Sequence, residues 1–432
     1  MNQETKICQS CKRQFVIEPE DFAFYEKAKS PPPTWCPQCR AQRRMAFFNE
    51  RILYRRKDSK TGKIIFSGFS DGNGFRVYDH KLWWSDDWDS MDYGREYDFN
   101  KSFFAQFSSL LKQVPLASRS FVSPINSDYC NNAGYLKNCY LVFDADNCDN
   151  ILYSCMLHKS RDSLDIYYAN NINLSYDSFM VWDCSRIFFS SRCDDCLEVY
   201  FSKNLTGCNN CFGCMNLRNK KYHIFNKPYS KESYQEKIKE FDLSSYRNLQ
   251  TIIQQARDFW LEFPVKFREG TNNVNVSGEY IADSKNVIHS YDVTGGKDLK
   301  YCQIVIPPAN DCYDYTDWGL NADRIYECSM CGRDVSRINF CWDCYKTVSN
   351  SNYCVQCHNS HNLFACIGLR NKQYCILNKQ YIKEEYEELV PKIIQHMNDM
   401  PYTDKKGRVY RYGEFFPPEL SPFCYNETIA QE

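Results

Sequence analysis

The segment RNKKYHIFNKPYSKESYQE, beginning at Arg218, returns as RNKQYCILNKQYIKEEYEE from Arg370, identical at 12 of 19 positions with a constant offset of 152 residues. Each copy closes a stretch dense in Cys, Asn, Asp, Ser and Tyr. Such stretches lack long apolar runs, so one repeat cannot bury its own face, and only stacked repeats build a core. The chain is therefore expected to hold one Cys-rich repeat unit twice.

The period supports stacking. A shift of 24 residues aligns Asp146, Asn170 and Asp194, then Leu152, Tyr176 and Tyr200, then Ser154, Ser178 and Ser202. A second register aligns Cys139, Ser163, Ile187 and Cys211, and the two interleave at steps of 9 and 15. This predicts a parallel β-solenoid over 125–228, with Cys, Ile and aromatics in interior ladders and Asn at the turns. Successive members of a ladder are expected about 5 Å apart, the spacing of adjacent strands. In the second half Cys328, Cys341 and Cys354 recur every 13 residues, as do Cys331, Cys344 and Cys357, which predicts a second solenoid over 273–380. Asn219 and Asn371 suit the turn of each closing coil, and Ile224 and Ile376 its core face. The helix after each closing coil carries an apolar stripe, Tyr234, Ile238 and Phe241 in one copy and Tyr386, Leu389 and Ile393 in the other, suited to cap an open sheet edge. A further helix from about Tyr246 to Phe263 stops at Pro264 and is expected to link the halves within 229–272; a helix and tail fill 381–432.

The sequence has 25 cysteines in 432 residues, a net charge of −1 and no basic-then-apolar leader in MNQETKICQSCKRQF. Disulfide scaffolds are exported and usually short, so a reducing cytoplasm is the expected setting, with cysteines as metal ligands or small buried side chains. Cys8-x2-Cys11 and Cys36-x2-Cys39, 24 residues apart, match the ligand pattern of a tetrahedral Zn²⁺ site. The flanking Lys12 and Arg40 favour thiolate. No fifth ligand lies near, so this zinc is expected to be structural, in a zinc ribbon over 1–45 too small to fold without metal. A second metal site is expected as an alternative at Cys328, Cys331, Cys341, Cys344, Cys354 and Cys357, with His358 and His361 nearby. A weaker one lies among Cys193, Cys196, Cys208, Cys211 and Cys214. For both, inert buried packing is the competing expectation.

The pattern CxxCxxxFxIxPEDxxFYxK at the N-terminus is similar to small zinc-ribbon modules of bacterial proteins. With NERILYRRK, WWSDDWDSMDYGREYDFNKSFFAQF, CFGCMNLRNKKY and YGEFFPPELSPFCYNET, nearly the whole chain resembles a bacterial family of uncharacterised sequences, in which that module precedes Cys/Asn/Tyr-rich repeats. The resemblance implies architecture and no activity. It also implies sequence beyond YNETIAQE, so a C-terminal module is expected to be missing.

Residues 40–57 hold seven cations, Arg40, Arg43, Arg44, Arg51, Arg55, Arg56 and Lys57, against the one acid Glu50. On a continuous helix Arg40, Arg44, Arg51 and Arg55 share a face with Phe47. Arginine suits phosphate contacts, so this face is the expected RNA- or DNA-binding surface. The competing expectation is a solvated face, or pairing with the acidic segment from Asp86 to Asp98. Within the aromatic-rich 46–124, Phe103, Phe104, Phe107, Leu110, Leu111 and Val114 form one helical stripe ended by Pro115. Trp83, Trp84 and Trp88 are expected to pack inside rather than form a stacking platform.

No P-loop, HExxH, GxSxG or GxGxxG is present. DADNCDN from Asp144 resembles a calcium loop, but Cys148 stands where an oxygen ligand belongs. Asp144, Asp146, Asp165, Asp314 and Asp317 are carboxylates of the kind a polysaccharide-acting β-helix hydrolase or lyase would cluster. The sequence thus predicts a mainly β fold with helical linkers: a zinc ribbon and a duplicated parallel β-solenoid, each copy capped by a helix. Its expected role is a non-enzymatic zinc-binding scaffold for a protein or nucleic-acid partner, with no membrane span. The alternatives are the β-helix enzyme and a metal- or thiol-handling protein using the ladder cysteines.

Overall fold

A computed structural model describes residues 2–49, 51–305, 309–314, 322–323 and 325–428. The chain forms two compact units, Met1–Ser118 with Phe267–Glu432, and Arg119–Lys266. The expected division at 45 falls inside one unit, which the N-terminal layer shares with the second solenoid, whereas the units part at Ser118/Arg119, near the expected start of the first solenoid at 125.

That layer begins with the antiparallel strands β1 (Glu4–Ile7) and β2 (Gln14–Ile17), followed by helices α1 (Pro19–Lys27) and α2 (Pro37–Met45). Strands β3 (Tyr54–Lys57) and β4 (Ile64–Ser67) form a second hairpin; α3 (His80–Trp84) and α4 (Phe103–Gln113) follow. The stripe expected on α4 is its buried face: Phe103, Phe104, Phe107, Leu110 and Leu111 are all enclosed. Trp83 is fully buried and its Nε1 donates to the Pro115 carbonyl at 2.9 Å, so it packs inside, as expected.

Both Cys-rich stretches are parallel β-solenoids. In the first, every third residue from Asn132 to Phe225 has positive φ, for example Tyr135 at 52°, Asn138 at 53° and Leu141 at 51°. Each such residue turns a corner, and one coil closes in 12 residues, as the pairings Asp149 with Arg161 and Leu164 with Tyr176 fix. The expected 24-residue period is therefore two coils. Cys139, Ser163, Ile187 and Cys211 do share one interior column, but on alternate rungs, with Ile151, Ser175 and Val199 between them. They stand about 10 Å apart, twice the strand spacing, rather than about 5 Å. In the second solenoid coils vary from 11 residues (Gly270 to Ile281) to 13 (Tyr313 to Tyr326).

The inward residue of each triplet has a specific task. Its side chain can accept the N–H of the residue one coil later, a donor that otherwise has no partner inside the core. Ser175 N donates to Ser163 Oγ at 3.0 Å, while Ser163 Oγ donates to the Arg161 carbonyl at 2.8 Å. Cysteine does the same: Cys196 N donates to Cys184 Sγ at 3.2 Å, and Cys196 Sγ donates to the Asp194 carbonyl at 3.2 Å. Ser and Cys are thus interchangeable in the columns. Outside, Asn126, Asn138, Asn150 and Asp162 run a side-chain ladder up one corner at 3.1, 3.1 and 2.9 Å.

The duplicated closing segments end alike. Lys227–Pro228 and Lys379–Gln380 turn back antiparallel on the last coil, and a helix follows each. Helices α5 (Lys231–Glu240) and α6 (Tyr246–Trp260) both pack on the aromatic flank of the first solenoid, Tyr234, Ile252 and Ala256 against Phe201, Phe212 and Ile224. α6 therefore belongs to the same compact unit as the first solenoid. In the other unit, α7 (Lys383–Asp399) buries Tyr386, Ile393 and Met397. Among the described residues no helix is long and apolar enough to cross a membrane.

Candidate metal centre and the charge network behind it

Cys8 directly follows β1 and Cys11 lies in the turn closed by Lys12 at φ 63°, whose N–H donates to the Cys8 carbonyl at 3.0 Å. Cys36 is the N-cap of α2 and Cys39 sits in its first turn, where the helix dipole favours thiolate but burial, the larger effect, pushes both thiols' pKa values up. The four Sγ atoms lie within 4.8 Å of one another, and among the described residues this is the only group of such ligands close enough to hold a metal. The fit is quantitative. Four thiolates at about 2.3 Å from Zn²⁺ form a tetrahedron of edge about 3.8 Å; Cys11 Sγ and Cys36 Sγ are 3.7 Å apart. Cys36 N also donates to Cys8 Sγ at 3.3 Å, an N–H···S bond that orients a ligand. Burial opposes the Cys8 thiolate, yet backbone N–H groups of Cys36, Cys11 and Ser10 bring its pKa down to about 7. All four positions would be filled by protein, so a bound ion would hold hairpin to helix and leave no site for substrate.

The expected arginine face does not form. α2 stops at Met45, and Phe47 and Phe48 turn inward, 1 % and 2 % exposed. Asn49 then bridges to the Ile52 carbonyl at 3.0 Å and the Gly68 carbonyl at 2.6 Å, which starts the next hairpin. Arg40 and Arg44 are buried; Arg51 is exposed, and Arg55 lies exposed on β3 over the Phe66 ring at 5.6 Å. Arg40 and Arg44 lie on α2, Arg51 follows that helix and Arg55 lies on β3, so the four share no single face.

Nor is the segment from Asp86 to Asp98 the partner of α2. Arg40 Nε donates to Asp314 Oδ2 at 2.6 Å and its Nη1 to the Trp35 carbonyl at 2.7 Å. Arg43 Nη2 donates to both oxygens of Glu327 at 2.7 and 2.8 Å, and its Nη1 to Glu414 Oε2 at 2.8 Å. Arg44 Nη2 and Nη1 stand 3.7 Å from Asp314 and 3.8 Å from Glu327. All six side chains are at most 4 % exposed. Three cations on one helix thus meet two acids of the second solenoid and one of the C-terminal tail. Glu414 also accepts from Thr34 N at 3.1 Å and from Thr34 Oγ1. Their pairing with α2 escaped sequence reasoning because the partners are 274, 284 and 371 residues apart in the chain. The available signal was a pair of acids, Asp314 and Glu327, on one aromatic ladder.

Cys328, Cys341 and Cys354 occupy one interior column and Cys331, Cys344 and Cys357 the next, all 0 % exposed. Their thiols touch along and between the columns, and each donates to a carbonyl two residues back, as Cys344 Sγ does to Trp342 O at 3.6 Å. His358 is not beside them: it is wedged at 4.2 Å from Tyr345 and 4.8 Å from Trp84, where burial pushes its pKa down to about 3. His361 bonds Gln373 at 2.7 Å. Of the carboxylates considered for hydrolysis, Asp314 is spent on Arg40, Asp165 is exposed on a corner of the first solenoid, and Asp317, like Glu50, lies outside the described residues.

No family model matches the chain, and no curated protein is significantly similar to it. Among solved structures, a "putative acetyltransferase" from Desulfovibrio desulfuricans G20 matches at 12% identity over 57% of this chain and 63% of that one, with a TM-score of 0.13. The matched region spans less than two thirds of that acetyltransferase's length, and a superposition so poor carries no argument about fold or activity.

Proposed function

We propose that this protein is a non-enzymatic, zinc-stabilised scaffold of the cytoplasm that presents a solenoid surface to a protein partner. One observation carries the reading: the helix that supplies Cys36 and Cys39 also inserts Arg40, Arg43 and Arg44 among buried acids of the second solenoid and tail. Metal ligation and charge pairing act on one short helix, so both serve assembly. A nucleic-acid partner is less well supported, because two of the four arginines that suggested it are enclosed. Inert ladder thiols that accept backbone N–H groups likewise fit packing better than metal handling.

Chelation followed by limited proteolysis tests this reading. Removal of one zinc equivalent should open residues 1–45 to cleavage while 119–266 stays resistant, because ligand loss and unfolding of a small metal module are linked. Loss of several equivalents without change in cleavage would favour metal handling and overturn the scaffold reading.

A further inference from the structure

The duplication allows the two aromatic flanks to be compared corner by corner. Counting coils back from Phe225 and from its duplicate Leu377, the fourth and fifth corners are Asp177 and Asp165 in the first solenoid, Glu327 and Asp314 in the second. All four residues have positive φ, from 44° to 55°. The same register places Tyr176 opposite Tyr326 and Leu164 opposite Tyr313.

In the second solenoid this flank is covered. Glu327 and Asp314 hold the arginines of α2, Tyr313 stacks on Phe24 at 3.7 Å, and Tyr326 and Phe340 are wholly enclosed. In the first solenoid α5 and α6 cover only the rungs nearest the closing coil. Beyond them Leu152, Leu164 and Phe179 are 36–38 % exposed and Tyr153 53 %. Asp165 and Asp177 are exposed and, among the described residues, neither has an ion pair or hydrogen bond. Partial burial, then the Asp165 charge, raises the Asp177 pKa, against which Arg257 of α6 acts. Two like charges flanked by apolar rungs thus sit where the other copy binds three arginines.

We propose that this flank of the first solenoid, around Asp165 and Asp177, docks an amphipathic helix of a partner protein that carries arginines at i, i+3 and i+4 followed by aromatic residues. Charge complementarity selects the arginines, and the exposed rungs take the aromatics, as the second solenoid takes Phe24 and Phe47 of its own chain. The inference rests on the scaffold reading and names the chemistry of its partner. An anionic nucleic acid is disfavoured by the same two carboxylates.

The probe is a helix-stabilised, labelled peptide bearing the stripe of Arg40, Arg43, Arg44, Phe47 and Phe48, titrated with the zinc-loaded full chain and followed by anisotropy. Saturable binding is expected, weakened at least tenfold by Asp165→Asn with Asp177→Asn, and equally by Gln in place of the three peptide arginines. Asn tolerates positive φ, so the double variant should keep its zinc and its circular dichroism. Phe179→Ser should weaken binding by the apolar route with both acids in place. No saturation by about 1 mM, at which contacts of this kind register, would overturn the proposal. Binding indifferent to the Asn pair would overturn it as well. Self-association of the chain that the Asn pair abolishes would assign the flank to a second copy instead. Zinc stoichiometry and proteolysis are read without peptide, so failure here is separable from failure of the scaffold reading.

Discussion

Arg43→Met should be among the most damaging single changes on the N-terminal layer. It deletes hydrogen bonds of 2.7, 2.8 and 2.8 Å and leaves Glu327 and Glu414 buried. Breaking a buried pair from one side costs about 3–5 kcal/mol, mostly the stranded charge. The lower end applies to the carboxylates, since Arg40 and Arg44 stay 3.8 Å from Glu327, and Thr34 still donates to Glu414. Arg43 also lies over the Trp35 ring at 4.3 Å, and a desolvated cation–π contact adds about 1–2 kcal/mol. The expected loss is about 4 kcal/mol in total. Urea unfolding read by tryptophan fluorescence measures it, with Trp35 as the local reporter. Arg55→Met, exposed over Phe66, should cost less than about 1 kcal/mol. Pairing Arg43→Met with Glu327→Met should recover much of the loss, because an apolar replacement of both partners strands one charge fewer. A loss below about 1 kcal/mol for Arg43→Met alone, or no recovery in the double variant, would refute the network as a structural element.

Cys11→Ser and Cys36→Ser should each abolish zinc retention and leave residues 1–45 protease-sensitive; full metal content in either variant contradicts this. Thiol labelling of the metal-loaded native chain should reach exposed Cys424 and spare Cys139, Cys211 and the columns of Cys328 and Cys331, while Cys211→Arg should unfold the first solenoid by burying an unpaired charge. Asp343 and His358 make opposing contributions to the pH profile. Burial raises the Asp343 pKa to about 7 despite the Gln356 hydrogen bond, so its contribution to stability is lost as pH rises from about 4 to 7. Burial holds His358 near 3, below its unfolded value of about 6.5, so its contribution grows over about pH 3 to 6.5. Asp343→Asn should therefore stabilise the protein at pH 7.5 and make it more acid-sensitive between pH 4 and 6; an unchanged profile by pH-dependent melting would contradict both assignments.

Local spacing made much of this molecule legible. Two CxxC pairs identified the metal centre, the copy at Arg370 identified the duplication, and the stripe from Phe103 to Leu111 identified α4. The coil length was not legible, because a corner accepts almost any side chain: Tyr153, Met156 and Phe189 sit at positive φ beside Asn150 and Asp162. Such bulky corners cost about 1–2 kcal/mol each, and ring stacking such as Phe189 on Phe201 at 5.1 Å works against that cost. Interior columns also mix Ser, Cys, Ile and Val, since an acceptor is useful but not required, and so identity repeats only by coincidence at two coils. The fate of Arg40, Arg43 and Arg44 was hidden for another reason. A charge run reads as solvated until distant acids are placed against it, and no local rule reaches from residue 43 to residue 414.

Anomalous diffraction at the zinc edge on crystals of the full chain tests the central claim most directly. One peak is expected, about 2.3 Å from the Sγ atoms of Cys8, Cys11, Cys36 and Cys39, with none along the thiol columns. No peak there, or further peaks beside Cys328, Cys341 and Cys354, would contradict the account of one structural metal and an inert thiol core.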